Sequence, residues 1–93
     1  MDIKEIIHEK QGTVIDVRNE SELSEGKIPG AINIPLSDIP YRLAEIKEMK
    51  APLVLYCRSG NRSAMAVSML RSAGINKEMY NGGGYYDMLK YIN

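Results

Sequence analysis

The residues best suited to covalent chemistry in this chain lie in one short stretch, residues 57–63. It begins at Cys57, the only cysteine, and continues Arg58-Ser59-Gly60-Asn61-Arg62-Ser63. An apolar run typical of a β-strand precedes it, and a helical pattern follows from Ser63 to Ala73. The amides of a tight loop and of a first helical turn have no intrahelical acceptor, so they can bind an anion. The stretch therefore predicts an anion cradle with a thiol at its edge.

Cys57 is the candidate nucleophile of this cradle. A helix N-terminus and the cations of Arg58 and Arg62 are expected to lower its pKa, and the thiolate is the reactive form of cysteine. The alternative is a buried cysteine with a structural role, which is common for this residue type. A core cysteine does not need two arginines and a glycine beside a helix start, so the pattern favours a functional one.

Length and composition limit the class of protein. Ninety-three residues fit one small domain, 1–93, and 44% hydrophobic with 26% charged residues is ordinary for a globular protein. Twelve acidic and twelve basic residues balance, so we expect no nucleic acid and no membrane as partner. Residues 1–10 interleave charges with isoleucines, unlike a secretory signal, so we expect a cytoplasmic location. One cysteine and one histidine exclude a structural zinc site and an intramolecular disulfide, and we expect neither a metal nor a cofactor.

Strand and helix patterns alternate along the chain. Short apolar or β-branched runs predict strands at residues 13–17, 31–34, 53–57 and 77–80. Apolar residues at helical spacing occur between these runs. The alternation predicts an α/β fold, with a parallel sheet of about four strands and helices on both faces.

The remaining elements follow from local signals. A short helix is expected before Gly12, and Ser37 is expected to cap a helix that continues through Met49. The three glycines at 82–84 predict a flexible turn, and residues 85–92 a last helix.

Asp16 interrupts the first predicted strand near its C-terminal end. Ligands of parallel sheets bind beyond the carboxyl ends of the strands, which is also the edge that presents Cys57. Asp16 is therefore a candidate support for the cysteine loop. An equally open interpretation is that Asp16 pairs with Arg18 or with the local backbone.

Three stretches together resemble the single-domain rhodanese, or thiosulfate sulfurtransferase, family. They are Asp16-Val17-Arg18, the segment 26–35 (GKIPGAINIP) and the loop 57–63 (CRSGNRS), and their order and spacing match over essentially the whole chain. The resemblance implies a three-layer rhodanese-like fold in which Cys57 carries a sulfane sulfur as a persulfide. It also implies that residues 58–63 bind the substrate around that sulfur, with Asp16 and Arg18 as supporting residues.

The chain departs from the family pattern in three respects. Lys27 stands where the family usually has histidine, and Met88 falls where a tryptophan is frequent. The usual first strand before the opening helix is absent. We expect the first two changes to alter packing and the entrance while leaving the loop intact, and the third to leave a trimmed, four-stranded sheet.

The resemblance implies a sulfurtransferase that moves a sulfane sulfur from a small anionic donor such as thiosulfate to cyanide or a thiol. Because the chain has no second cysteine, the acceptor must be external, either a small molecule or a thiol of a partner protein. One alternative is a non-enzymatic sulfur carrier or persulfide sensor. Another is a cysteine phosphatase or arsenate reductase. Cell-cycle phosphatases share the fold, but their loop has five residues between cysteine and arginine, whereas four separate Cys57 from Arg62 here.

Overall fold

The four predicted strands form one sheet in the computed structural model, which describes residues 2–92. The strands are β1 (Thr13–Asp16), β2 (Ile32–Asn33), β3 (Leu53–Cys57) and β4 (Met79–Gly84). Neighbouring strands run parallel in the order β2-β1-β3-β4. The prediction at 53–57 is confirmed residue for residue, whereas β1 and β2 are shorter than the predicted ranges 13–17 and 31–34.

The central strand β3 is buried along its whole length because helices cover both faces of the sheet. The helices are α1 (Ile3–Glu9), α2 (Leu43–Lys47), α3 (Asn61–Ser72) and α4 (Tyr85–Leu89). Side chains alternate between the faces of a strand, so Leu53, Leu55 and Cys57 lie in the cluster shared with α2 and α3. Val54 and Tyr56 lie in the cluster shared with α1 and α4. The three-layer α/β prediction is confirmed, and within residues 2–92 no helix has the length and apolar character to cross a membrane.

The segment before β3 differs from the predicted single helix. Ser37 lies inside a 3₁₀ helix, Leu36–Tyr41, and α2 follows as a separate element. Pro40 within that 3₁₀ helix has no amide hydrogen and cannot join an α-helical ladder. The Arg42 amide instead closes the tighter turn by donating to the Ile39 carbonyl at 3.1 Å. The expectation that Ser37 caps an α-helix is therefore wrong.

The glycines at 82–84 belong to β4 and not to a flexible turn, so that prediction is wrong. The last strand is also displaced from the predicted range 77–80, since it begins at Met79 and ends at Gly84. Its pairing with β3 skips one residue midway and places Gly84 opposite Cys57. A methyl group on Gly84 would collide with the carbonyl of Arg58. Glycine is thus required here because the cysteine loop and the edge strand approach closely.

Candidate active site

Cys57 ends β3 with its side chain fully buried, at 0% exposure. Three residues later Gly60 adopts φ 97°, in the left-handed region that glycine enters without steric cost. This turn directs the Gly60 amide at the sulfur, with 3.0 Å between N and Sγ. Gly60 is also the N-cap of α3, so the sulfur lies at the mouth of a helix, as the sequence predicts.

Ser63 brings a second hydrogen-bonding group to the sulfur. It is fully buried in the first turn of α3, and its Oγ lies 3.5 Å from Sγ of Cys57. Burial raises the pKa of the Cys57 thiol, but the hydrogen bonds that the Ser63 hydroxyl and the amides of Ser63, Ser59 and Gly60 can donate to the thiolate together outweigh it. The net result is a lowered pKa for Cys57, which favours the nucleophilic thiolate.

Arg62 is held by a partner that the sequence did not reveal. Its Nη1 and Nη2 donate to the two carboxylate oxygens of Glu22 at 2.7 and 2.9 Å. Glu22 lies in a further 3₁₀ helix, Glu20–Glu25. The guanidinium lowers the pKa of Glu22 to about 2, so the carboxylate balances much of the Arg62 charge. The electrostatic interaction between Arg62 and Cys57 persists, but the hydrogen bonds described above contribute more to the Cys57 pKa.

The rest of the loop faces solvent. Arg58, Ser59 and Asn61 are exposed, while Gly60 is buried between them. The structure thus brings all the predicted loop residues together, and their roles in binding a substrate stay predictions. Within residues 2–92, no three His, Cys, Asp or Glu side chains group closely enough to hold a metal ion.

Asp16 and Arg18 form a buried ion pair, each with 1% of its side chain exposed. Arg18 donates from Nε at 2.9 Å to Oδ1 and from Nη2 at 2.7 Å to Oδ2 of Asp16. The Tyr56 hydroxyl donates to Oδ2 of the same carboxylate at 2.8 Å. The pairing of Asp16 with Arg18, one of the two open interpretations, is confirmed. Its link to the cysteine loop runs through Tyr56, the residue before Cys57.

Tyr56 and Asn81 were not predicted as parts of the site. A tyrosine inside a wholly apolar strand is a usable signal, because its hydroxyl needs a partner when buried. Asn81 offered no comparable signal, since asparagine before glycine indicates a turn. In the structure its side chain contacts Ser63 Oγ at 2.6 Å, the Gly60 carbonyl at 3.0 Å and the Gly83 amide at 2.9 Å.

A parallel sheet that ends in a cysteine loop at a helix mouth is the arrangement expected of a rhodanese-like domain. The family model described as "Rhodanese-like domain" matches residues 2–90. The chain belongs to this family.

Individual relatives agree with the family assignment. A "Sulfurtransferase" of Allochromatium vinosum is 37% identical over 71 residues, which cover 76% of this chain and 65% of that protein. The "Thiosulfate sulfurtransferase/rhodanese-like domain-containing protein 3" of Mus musculus is 34% identical and covers 97% of this chain and 66% of its own length. The chain thus spans just under two thirds of each of these relatives. The crystal structure of a rhodanese-related protein from Thermoplasma volcanium superposes with a TM-score of 0.76 at 37% identity, covering 96% of this chain and 85% of that one.

Proposed function

We propose that this protein is a sulfurtransferase that moves a sulfane sulfur through a persulfide on Cys57. The observation that carries the proposal is the Gly60 amide held 3.0 Å from a fully buried Sγ at a helix mouth. A preorganised donor of this kind stabilises negative charge on sulfur in place of water. Membership of the rhodanese-like family and the names of the relatives support the same chemistry.

The proposed reaction is a double displacement. The Cys57 thiolate attacks the outer sulfur of thiosulfate, the S–S bond of the donor breaks, and sulfite leaves with its electron pair. The enzyme then holds the outer sulfur as a perthiolate. Cyanide or a thiolate attacks that sulfur, the new S–S bond breaks, and thiocyanate or a low-molecular-weight persulfide leaves as the Cys57 thiolate is restored.

A small donor suits the burial of the sulfur. Because Cys57 has no exposed surface, the donor's outer sulfur reaches it only after a local opening of the site, and a small donor requires the least opening. Arg58 is the loop cation on the solvent side and is placed to attract an anion, whereas Arg62 already binds Glu22. We therefore assign the first encounter with the donor to Arg58.

Two alternatives share the nucleophile. A cysteine phosphatase needs an arginine available for the phosphoryl oxygens, and here the corresponding guanidinium is already bound to both oxygens of Glu22. The four-residue spacing between Cys57 and Arg62 also makes the cradle short for a tetrahedral phosphate. A sulfur carrier would form the same persulfide and differ only in the absence of turnover.

One experiment separates these functions. The protein is incubated with thiosulfate, and its intact mass is measured before and after reduction, with Cys57→Ser as the matched control. Thiocyanate formation from cyanide, persulfide transfer to small thiols and hydrolysis of p-nitrophenyl phosphate are then assayed in parallel. We expect a gain of one sulfur atom on the wild type alone, followed by turnover. An adduct without turnover on any acceptor identifies a carrier, and an unmodified cysteine with phosphatase activity refutes sulfur transfer.

A further inference from the structure

The hydroxyl of Ser63 has one proton and three acceptors within reach. Its Oγ lies 2.6 Å from Oδ1 of Asn81, 3.1 Å from the Gly60 carbonyl and 3.5 Å from Sγ of Cys57. An O–H···O hydrogen bond is most favourable at about 2.7 to 2.8 Å. Of the three contacts, the one with Asn81 is closest to this length. The proton therefore has a preferred acceptor, and that acceptor is not the sulfur.

The orientation of the Asn81 amide is fixed by its other two neighbours. The Gly83 amide can only donate, so the group 2.9 Å from it must be the oxygen of Asn81. The Gly60 carbonyl can only accept, so the group 3.0 Å from it must be the nitrogen. Asn81 therefore presents an oxygen to Ser63, and Ser63 must be the donor in that contact.

The consequence for the sulfur depends on its protonation state. While Ser63 donates to Asn81, its oxygen can only accept from Cys57, an arrangement that suits the neutral S–H. A thiolate has no proton to give and gains from the hydroxyl only if the hydroxyl turns from Asn81 to Sγ. Asn81 and the charged sulfur thus compete for the same proton.

We propose that Asn81 is a positioning residue for Cys57, which acts by holding the Ser63 hydroxyl away from the sulfur until the sulfur is charged. This inference deepens the proposed function, on which its relevance to sulfur transfer rests. It describes the resting thiol itself, so it can be tested without a sulfur donor. Asn81 lies on the edge strand and is exposed, whereas Ser63 and Cys57 are fully buried.

Other charges also influence the thiol, and a test has to leave them unchanged. The charged side chains on the elements around the cradle include Asp16, Arg18, Glu22, Arg58, Arg62 and Asp87, with Glu20, Glu25 and Arg71 on the same helices. Substitutions at position 81 alter none of these groups directly. Asn76, a second exposed asparagine that precedes β4, offers a matched control for added apolar surface.

The test compares Asn81→Leu, which removes the acceptor, with Asn81→Asp, which keeps an oxygen facing Ser63 and adds negative charge. The thiolate fraction is followed by its ultraviolet absorbance against pH, with the same substitution in a Cys57→Ser background as the blank. We expect Asn81→Leu to lower the Cys57 pKa by roughly 0.5 to 1 unit, about three- to tenfold in thiolate at a pH well below the pKa. Asn81→Asp is expected to raise the pKa by about one unit, and Asn76→Leu to leave it in place.

A merely structural role for Asn81 gives a different pattern. Loosening the cradle would raise the Cys57 pKa in both variants, so a rise with Asn81→Leu overturns the proposal. The same holds if the effect of Asn81→Leu survives in a Ser63→Ala background, because there is then no hydroxyl to release. Asn81→Ala carries the same expectation if the leucine variant does not fold. A normal thiol titration in a protein that fails to form a persulfide would count against sulfur transfer and not against this inference.

Discussion

Replacing Tyr56 by phenylalanine removes one buried oxygen and leaves the aromatic ring in place. The Tyr56 hydroxyl donates to Oδ2 of Asp16 at 2.8 Å and accepts from the Ile28 amide at 3.2 Å. Tyr56 and Ile28 are fully buried, and Asp16 is 1% exposed. Water therefore cannot replace the lost partner without a rearrangement of the core.

The cost follows from the groups that lose a partner. A hydrogen bond to a charged group contributes about 1.5 to 3 kcal/mol, and an unsatisfied buried amide costs about 1 to 3 kcal/mol. Arg18 still donates to both carboxylate oxygens of Asp16 from its backbone amide and its guanidinium, which reduces the loss at the carboxylate. We expect Tyr56→Phe to lower the free energy of unfolding by about 2 to 3 kcal/mol. An unfolding entropy of about 2.1 cal/mol/K per residue over 93 residues converts this to a fall in Tm of roughly 10 to 15 °C.

The assay is urea and thermal unfolding followed by far-ultraviolet circular dichroism at neutral pH. Tyr41→Phe is the matched control, because it deletes the same atom at a position that is 87% exposed. The control is expected to change the free energy of unfolding by less than about 0.5 kcal/mol. If Tyr56→Phe is no more destabilising than Tyr41→Phe, the hydroxyl does not stabilise the Asp16–Arg18 pair and the reasoning is refuted.

Three further predictions concern the cradle. The pKa of Glu22 is lowered to about 2 in the folded protein, so its ion pair stabilises the fold above the ordinary carboxylate pKa and is lost as pH falls toward 2. Glu22→Gln should therefore lower the free energy of unfolding by about 1 kcal/mol at pH 7, because the pair is partly exposed. The difference between wild type and variant in urea unfolding should shrink in acid, and a difference that stays constant contradicts the ion pair. Arg62→Ala leaves the negative charge of Glu22 without its partner, so it should raise the Cys57 pKa more than Arg58→Ala does. Thiolate absorbance against pH measures both shifts, and equal shifts would mean that Glu22 has no effect on the sulfur. Gly84→Ala should lower the free energy of unfolding by roughly 1 to 3 kcal/mol, measured by thermal unfolding, because the added methyl group collides with the Arg58 carbonyl. The φ of Gly84, −92°, suits any residue, so an unchanged Tm would show that the loop moves to accommodate the methyl group.

The fold was predictable where one signal decided each element. A continuous apolar run makes β3 recognisable because a central parallel strand is buried on both faces. The last strand was misplaced because its C-terminal half is glycine, which has low intrinsic strand preference. Close approaches require glycine at these positions, because an added side chain would meet the Arg58 carbonyl at Gly84, Met88 at Gly82 and Asp87 at Gly83. That requirement arises from tertiary packing and leaves no local pattern.

The contacts of the site were also predictable only where the two residues are close in sequence. Gly60 lies only three residues after Cys57 in the same loop, and a strand that runs into a helix start dictates their contact. Glu22 is 40 residues from Arg62, and Asn81 is 18 residues from Ser63. Contacts between residues so far apart in sequence depend on the order of the strands in the sheet. The sequence predicts a parallel α/β sheet but not this order.

Cys57 belongs to both the fold and the site, because it is the last residue of the core strand β3 and the first residue of the loop. Its backbone pairs with Gly84 of the edge strand, its side chain lies in the core cluster between the sheet and α3, and its sulfur accepts from Gly60. A substitution that shifts β4 by a fraction of an ångström therefore changes the position of the sulfur relative to the amides that stabilise its charge. Stability and reactivity are coupled at this residue, so variants of β4 should be judged by the Cys57 pKa and the unfolding free energy together. A change in pKa without a change in stability is the signature of a positioning effect such as the one proposed for Asn81.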